Sequence, residues 1–390
     1  MSSLGSRWTW PVAMSLIVLV GGFISGWQVL QRIGIGLFCL LAICIVVTVV
    51  SALTLSAEGK PRSRTATAGD TLTITYTIRN RGLWPVVWAL FRPQGFSTLP
   101  VEGQLVAVPW RGDRRLDVML PCPQRGRWVA GGAVLHTGDP FGFFERSRTR
   151  AGTEIITVYP RSIPLPGLQL PPLLGRGISP RGRPSPQPSA TVREVRPYRS
   201  GDLPSRVHWL STARLDALMV KEPEGEPAAH VWLVLDLDAR IQYGEDEGDS
   251  AELVIGAAGH VVREQLPVWI AAGLLVAGTD TIVKPDARRG HAARLLDELA
   301  VVMPGEGDVE RDVHTLLTSS GTRRSTIIVI TPWADDRWSR NLRVLAHTGS
   351  TVLCVLLDTP DSGLRHALDA QAASLRGHGV QVYRHTAWAA

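Results

Sequence analysis

A chain of 390 residues with 45% hydrophobic content carries enough apolar material for two or three cored domains, which excludes a wholly disordered protein. The net charge of +6 is modest, and all but three of the 41 basic side chains are arginine, which suits a solvated surface or attraction to anionic lipid head groups; nothing calls for nucleic acid. The four cysteines, Cys39, Cys44, Cys122 and Cys354, show neither zinc-site nor disulfide-framework spacing, and their usage fits a reducing compartment.

Residues Trp8–Gln31 and Ile33–Ala57 contain no charge and are separated by Arg32. Each run reaches the roughly 20 residues of helix that a hydrocarbon core requires, so residues 1–59 are expected to form a transmembrane helical hairpin, turning within Gln28–Gly34. A cleaved signal peptide would account for the first run only. Arg7 before the pair and Lys60, Arg62 and Arg64 after it outnumber Arg32 between them. The positive-inside bias therefore places both ends and all later residues in the cytoplasm, in a multi-pass protein of the inner membrane. Trp8, Trp10 and Trp27 are either interfacial anchors or ordinary lipid-facing side chains.

From residue 60 to 160 the pattern is that of short strands. "GDTLTITYTIRN" alternates, with Leu72, Ile74, Tyr76 and Ile78 on one face and Thr71, Thr73, Thr75 and Thr77 on the other. Further strands are expected at Val86–Phe91, Leu105–Trp110, Leu116–Leu120, Trp128–Leu135 and Glu154–Tyr159, and together they predict an immunoglobulin-like β-sandwich. "GDPFGFF", Gly138–Phe144, joins an Asp-Pro turn to three phenylalanines, read as a plug for the sandwich end or a docking element. Residues 161–190 form a proline-rich linker, extended and acting as a boundary or strap.

The last segment, 191–390, opens with "YRSGDLPSRVHWLSTAR", Tyr198–Arg214. Gly201 and Asp202 make a turn, Asp202 caps a helix with Pro204 in its first turn, and Arg214 ends that helix. Val207, Leu210 and Ala213 share one face, and Trp209 is within reach of Arg206. Tryptophan and aliphatic residues are expected to dock on the sheet, and "ALMVKE" to follow as an edge strand. From His230 onward, strands such as "VWLVLDLD", "LPVWIAAGLL", "STIIVIT", "TVLCVLL" and "VQVYRH" alternate with helices near 251–265, 292–302, 338–346 and 363–375. This pattern predicts a doubly wound parallel α/β sheet.

Ligands of such sheets lie at the carboxyl ends of the strands, where Asp236, Asp238, Thr331, Asp335 and Asp336 fall. Oxygen ligands there suit a hard cation. A von Willebrand factor A domain carries an aspartate and two hydroxyl residues at alternate positions after its first strand; this chain reads Asp236, Asp238, Arg240, so the metal set is degenerate and no metal or other cofactor is expected. Walker loops, dinucleotide fingerprints, His-Glu-x-x-His, Cys-x-x-Cys and Gly-x-Ser-x-Gly are absent from the sequence.

The pattern Tyr198, Gly201, Asp202, Arg206, Trp209, Ala213, Arg214 followed by "LMVKE" resembles the signature of the domain-of-unknown-function 58 family, bacterial MoxR-associated membrane proteins with a von Willebrand factor A-like domain. "DPFGFF", "VYPR" at Val158–Arg161 and "QRGRW" at Gln124–Trp128 resemble further elements of that family, as does the two-helix start. His208 and Leu210 depart from its usual acidic or amide residue and lysine. The resemblance implies a non-catalytic adaptor for a MoxR-type AAA+ ATPase, with a transglutaminase-like protein as a further partner, and Tyr198, Gly201, Asp202, Arg206, Trp209 and Arg214 as a binding or structural motif. The alternative is a metal-dependent enzyme or metal-gated binder of envelope maintenance using Asp236, Asp238, Thr331 and Asp335.

Overall fold

The computed structural model describes residues 9–94, 102–171, 192–198, 207–223, 230–242, 249–266, 270–279, 281–286, 288, 290–307, 311–312, 314–315, 325–332, 336–347, 349–358 and 365–385. The chain divides into two compact units, Met1–Tyr159 and Pro160–Ala390.

The first unit opens with α1 (Thr9–Ser25) and α2 (Gln28–Thr54). The chain turns at Gly26, whose φ of 66° is open to glycine at no steric expense, so the turn comes earlier than the polar residues Gln28–Gly34 suggest. Those residues instead start α2, and the Gln31 amide reaches back to donate to the Gly22 carbonyl at 3.1 Å. A Cβ at Gly22 would lie 2.8 Å from the Gln31 nitrogen, and one at Gly34 2.7 Å from the Leu19 Cα, so the two glycines let the helix backbones touch. At 1.5 Å per residue α1 is about 25 Å long and α2 about 40 Å. Among the described residues only α2, with mean hydropathy 3.0 in its most apolar stretch, is long and apolar enough to cross a bilayer.

Instead of continuing to Ala57, the second helix stops at Thr54, because Leu55 already has extended backbone (φ −76°, ψ 134°) and opens β1 (Leu55–Pro61) with no loop between. β2 (Thr65–Thr67), β3 (Thr71–Asn80), β4 (Val86–Gln94), β5 (Gln104–Val108), β6 (Asp113–Pro121), β7 (Gly126–Ala130), β8 (Gly132–Gly138), β9 (Glu145–Arg150) and β10 (Glu154–Tyr159) follow. They form sheets of order β1-β3-β6, β2-β10-β7 and β5-β4-β8-β9. Leu72, Ile74, Tyr76 and Ile78 point into one core with Leu55, Phe91, Leu120 and Ile156, as the alternation requires. The Tyr76 and Phe91 rings meet edge-on at 4.8 Å, and Tyr76 Oη donates to the Gly132 carbonyl. Burial pushes that phenol up to about 12. The single strand expected at Trp128–Leu135 is two. Gly131, at φ 86°, breaks it, so that β7 joins one sheet and β8 another; a Cβ there would lie 2.5 Å from the Gly59 carbonyl oxygen. β9, "ERSRTR", has no apolar face to signal it.

In the second unit the proline-rich segment begins as a strap. Ile163 N donates to the Gly256 carbonyl, Tyr383 Oη donates to that of Pro166, and Leu165 and Leu168 are buried. Beyond 171 the expected linker lies outside the described residues until β11 (Val192–Pro197), which pairs antiparallel with β12 (Met219–Pro223) across α3 (Trp209–Leu215). The α/β body follows with β13 (His230–Asp236), α4 (Ser250–His260), β14 (Ala271–Ala277), β15 (Ile282–Asp286), α5 (His291–Val301), β16 (Thr326–Thr331), α6 (Asp336–His347), β17 (Thr351–Leu357), α7 (Arg365–Gly377) and β18 (Gln381–His385). Its sheet order is β15-β14-β13-β16-β17-β18, doubly wound as expected and parallel except for β15. The departure has a geometric cause: Ala277 and Ile282 are joined by a short turn through Gly278 (φ 94°), and so short a connection can return the chain only antiparallel. The β13, β14, β16 and β17 residues are buried on both faces, which explains their unbroken apolar runs.

Candidate functional site

The strand order reverses between β13 and β16, and the carboxyl ends of these two strands flank the crevice in which doubly wound sheets hold ligands. Three of the residues singled out in the sequence meet here or beside it. Asp236, fully buried, accepts from Thr331 Oγ1 at 2.8 Å. Asp238, two residues on, is held by Arg240: its Oδ1 accepts from the guanidinium Nε at 2.8 Å and from the Arg240 backbone N–H at 3.1 Å, and its Oδ2 accepts from Nη2. Nη2 also donates to the Gly307 carbonyl at 2.8 Å, tying the segment 305–307 across the strand end. Side-chain exposure is 7% for Asp238 and 51% for Arg240, so the carboxylate is sheltered beneath a cation that faces out. Asp335 lies outside the described residues, and Asp336 is the first residue of α6. Among the described residues no three His, Cys, Asp or Glu side chains gather as a metal-binding group.

The site has members that the sequence reading missed. Gln242 donates to the Asp236 carbonyl at 2.9 Å and accepts from Ser250 Oγ at 2.6 Å, while Asp249 caps α4 by accepting from Ala251 N. An Asp-Ser pair ahead of an apolar helix is a legible capping signal; the glutamine carried none. Gly278 and Gly305 touch so closely that a Cβ on Gly305 would lie 2.4 Å from the Gly278 oxygen, which clamps the loop against β13. Cys354, buried on β17, is pushed up to about 12 by burial and by the Asp236 carboxylate, so it stays a neutral thiol. At the end of β17, Asp358 accepts from Arg384 Nη2 at 2.6 Å, and Asp369 binds Nη1 of the same arginine.

The second candidate surface is the connector. Gly201, Asp202 and Arg206 lie outside the described residues, so the expected cap and the Arg206–Trp209 contact do too. Helix α3 begins only at Trp209, and a hydrogen-bonded loop holds it: His208 Nδ1 pairs with Ser211 Oγ at 2.7 Å, and Thr212 Oγ1 donates to the His208 carbonyl and accepts from Met219 N. Tyr198 N donates to the Leu218 carbonyl, joining the two edges. The expected docking of Trp209 and Leu210 on the sheet is overturned: Trp209 is 70% exposed, and Tyr198, Leu210, Leu215 and Leu218 are exposed with it. Buried Val207, Met219 and Val220 take the inward positions instead. Arg214 sits in the last turn of α3, exposed. The helical spacing of Val207 and Leu210 misled because Val207 precedes the helix, in a bridge to Val220.

Apolar helices run into a β-sandwich in one unit, and in the other a doubly wound sheet, its strand-end carboxylate covered by arginine, carries an apolar connector; together these features define a multidomain protein with an apolar helical start. Residues 194–371 match the model of the family described as "Protein of unknown function DUF58". It is similar to Uncharacterized protein YeaD of Bacillus subtilis, 22% identical over 299 residues that cover 74% of this chain and 72% of the relative. It is also similar to Uncharacterized protein Rv1480 of Mycobacterium tuberculosis, 24% identical over 206 residues that cover 50% of this chain and 65% of the relative. Among solved structures, the CARDB domain of the PF1109 protein from Pyrococcus furiosus aligns with 27% of this chain and 86% of its own length at 14% identity and a TM-score of 0.22.

Proposed function

We propose that this protein is a membrane-anchored, non-catalytic adaptor whose von Willebrand factor A-like unit binds a cytoplasmic protein partner, a MoxR-type AAA+ ATPase by family resemblance. The observation that carries the reading is the exposed apolar cluster of the connector, Tyr198, Trp209, Leu210, Leu215 and Leu218, set on a hydrogen-bonded frame. Monomeric proteins seldom leave large apolar side chains grouped on a short element, and aromatic anchors of this kind dominate protein interfaces. Helix α2, with its length and hydropathy, supports the anchor, and the basic residues Lys60, Arg62 and Arg64 that follow it support the inward orientation. An antiparallel strand at one sheet edge and a switch point between β13 and β16 are compatible with the A-like assignment. The Arg240 guanidinium on Asp238 speaks against a cation at that carboxylate.

The test is co-purification of the full-length detergent-solubilised protein with a MoxR-type ATPase, comparing the parent with Trp209→Ser plus Leu210→Ser. Loss of an aromatic anchor and its neighbour should weaken recovery by about tenfold or more, with the melting temperature unchanged because both side chains are exposed. Equal recovery by both would refute the assignment of this surface.

A further inference from the structure

The motif Gly138–Phe144 was expected to plug the sandwich end or to dock it on a neighbour; Phe143 and Phe144 are half-buried and Phe141 is exposed. Buried Asp139 accepts from Phe141 N at 2.9 Å and from Phe144 N, and its backbone carbonyl accepts from Trp88 Nε1 at 3.0 Å, so the loop is a fixed turn. What this turn presents is apolar: Phe141 is 64% exposed and stacks on Phe143 with centroids 5.9 Å apart. The loop lies along α2: Thr48 Oγ1 reaches the Phe144 carbonyl at 3.5 Å, and Cys44 is beside Asp139. Cys44 stands ten residues before Thr54, which puts the Asp139 end of the loop about 15 Å up the helix from its end. At that end Arg81 N donates to the Thr54 carbonyl, and exposed Leu83 and Trp84 follow. Arg148 donates to the Ala52, Leu53 and Leu55 carbonyls, and Arg146 and Arg150 share its face of β9 by strand alternation.

We propose that this end of the sandwich is seated in an anionic phospholipid bilayer, with Phe141 and Phe143 in the acyl boundary beside α2 and the β9 arginines at the phosphates. The proposal rests on the anchoring reading above. Its argument is continuity: the exposed Phe141 ring, with half-buried Phe143 stacked on it, extends the apolar outer surface that Ile43, Ile45 and Val46 give the same stretch of α2. Had the sandwich stood clear of the membrane, those rings would face water beside a helix built for lipid, a pairing that neither surface favours. The aromatic loop beside Cys44 and Thr48, and then Arg148 at the helix end, fall in the order in which a bilayer goes from hydrocarbon to head group.

The experiment uses the full-length protein in vesicles of phosphatidylglycerol and phosphatidylcholine, with single fluorescent labels in a Cys39→Ala background whose other thiols are buried. Labels go on Phe141→Cys, on Phe38→Cys at an exposed position within α2, and on Met119→Cys, which pairs with Thr73, about 23 Å along β3 from Asn80. Brominated lipid should quench the 141 label to within about a factor of two of the 38 label and leave the 119 label unaffected, with iodide showing the reverse order. A 141 label that behaves like the 119 label while the 38 label is quenched overturns the seating and leaves the anchor standing. A 38 label that lipid does not quench removes the anchor reading and the proposal together.

Discussion

Asp238 and Arg240 show how one residue can change what a fold offers. The backbone turn after β13 brings the arginine's own N–H and its guanidinium onto the same carboxylate, two residues back, and the Gly307 carbonyl takes the remaining fork. A local pair of this kind forms with little entropy loss, and its sheltered partner makes removal of the cation more harmful than removal of both charges. Arg240→Ser should therefore destabilise the protein by about 1–2 kcal/mol, less than for a fully buried pair because the arginine is half exposed. Adding Asp238→Asn should recover most of that loss. Denaturant unfolding of the solubilised protein measures both. In Arg240→Ser, millimolar magnesium should raise the melting temperature by more than in the parent, since the serine restores an oxygen where the guanidinium stood.

At the scale of elements, the sandwich depends on one strand changing sheets. β7 and β8 would read as a single run, and Gly131 is what bends them apart, with Gly59 of β1 pressed against it. Alanine there combines a left-handed backbone with a Cβ 2.5 Å from a carbonyl oxygen, and neither β1 nor the bend has room to give. Gly131→Ala should cost about 3 kcal/mol. It should also loosen β8 before β10, which hydrogen exchange on the solubilised protein would resolve strand by strand. Preserved stability with native protection in β8 would mean that the bend adapts. The direct passage from α2 into β1, reinforced by Arg148 on the last helical carbonyls, couples the sandwich to the apolar helix without a linker. A displacement of one is then felt by the other.

For the molecule as a whole, the proposed anchoring makes an orientation testable. The basic residues that follow α2, Lys60, Arg62 and Arg64, are exposed, and the cytoplasmic leaflet attracts such charge. A thiol tag at the carboxyl terminus of the membrane-integrated protein should react with an impermeant reagent only after the cells are opened. Labelling in intact cells would reverse the orientation and remove a cytoplasmic ATPase from the possible partners.

Elements whose signal is periodic or continuous are legible in the chain of residues alone. β3 alternates because one face meets a core, β13, β14, β16 and β17 are apolar runs because both faces do, and α4 and α5 keep helical spacing; these follow from local burial, which is written residue by residue. Asp236, Asp238 and Thr331 were legible for a similar reason, because the carboxyl end of a buried strand can be counted from its last apolar residue. Features that depend on distant partners emerge only once the chain has folded. Gly131 parts two strands because Gly59 is behind it, Trp209 faces outward because Val207 and Met219 fill the inner positions, and Phe141 stays exposed because Asp139 holds its loop beside α2. In each case the residue's own chemistry allowed both outcomes, and the neighbour that chose between them lies elsewhere in the chain.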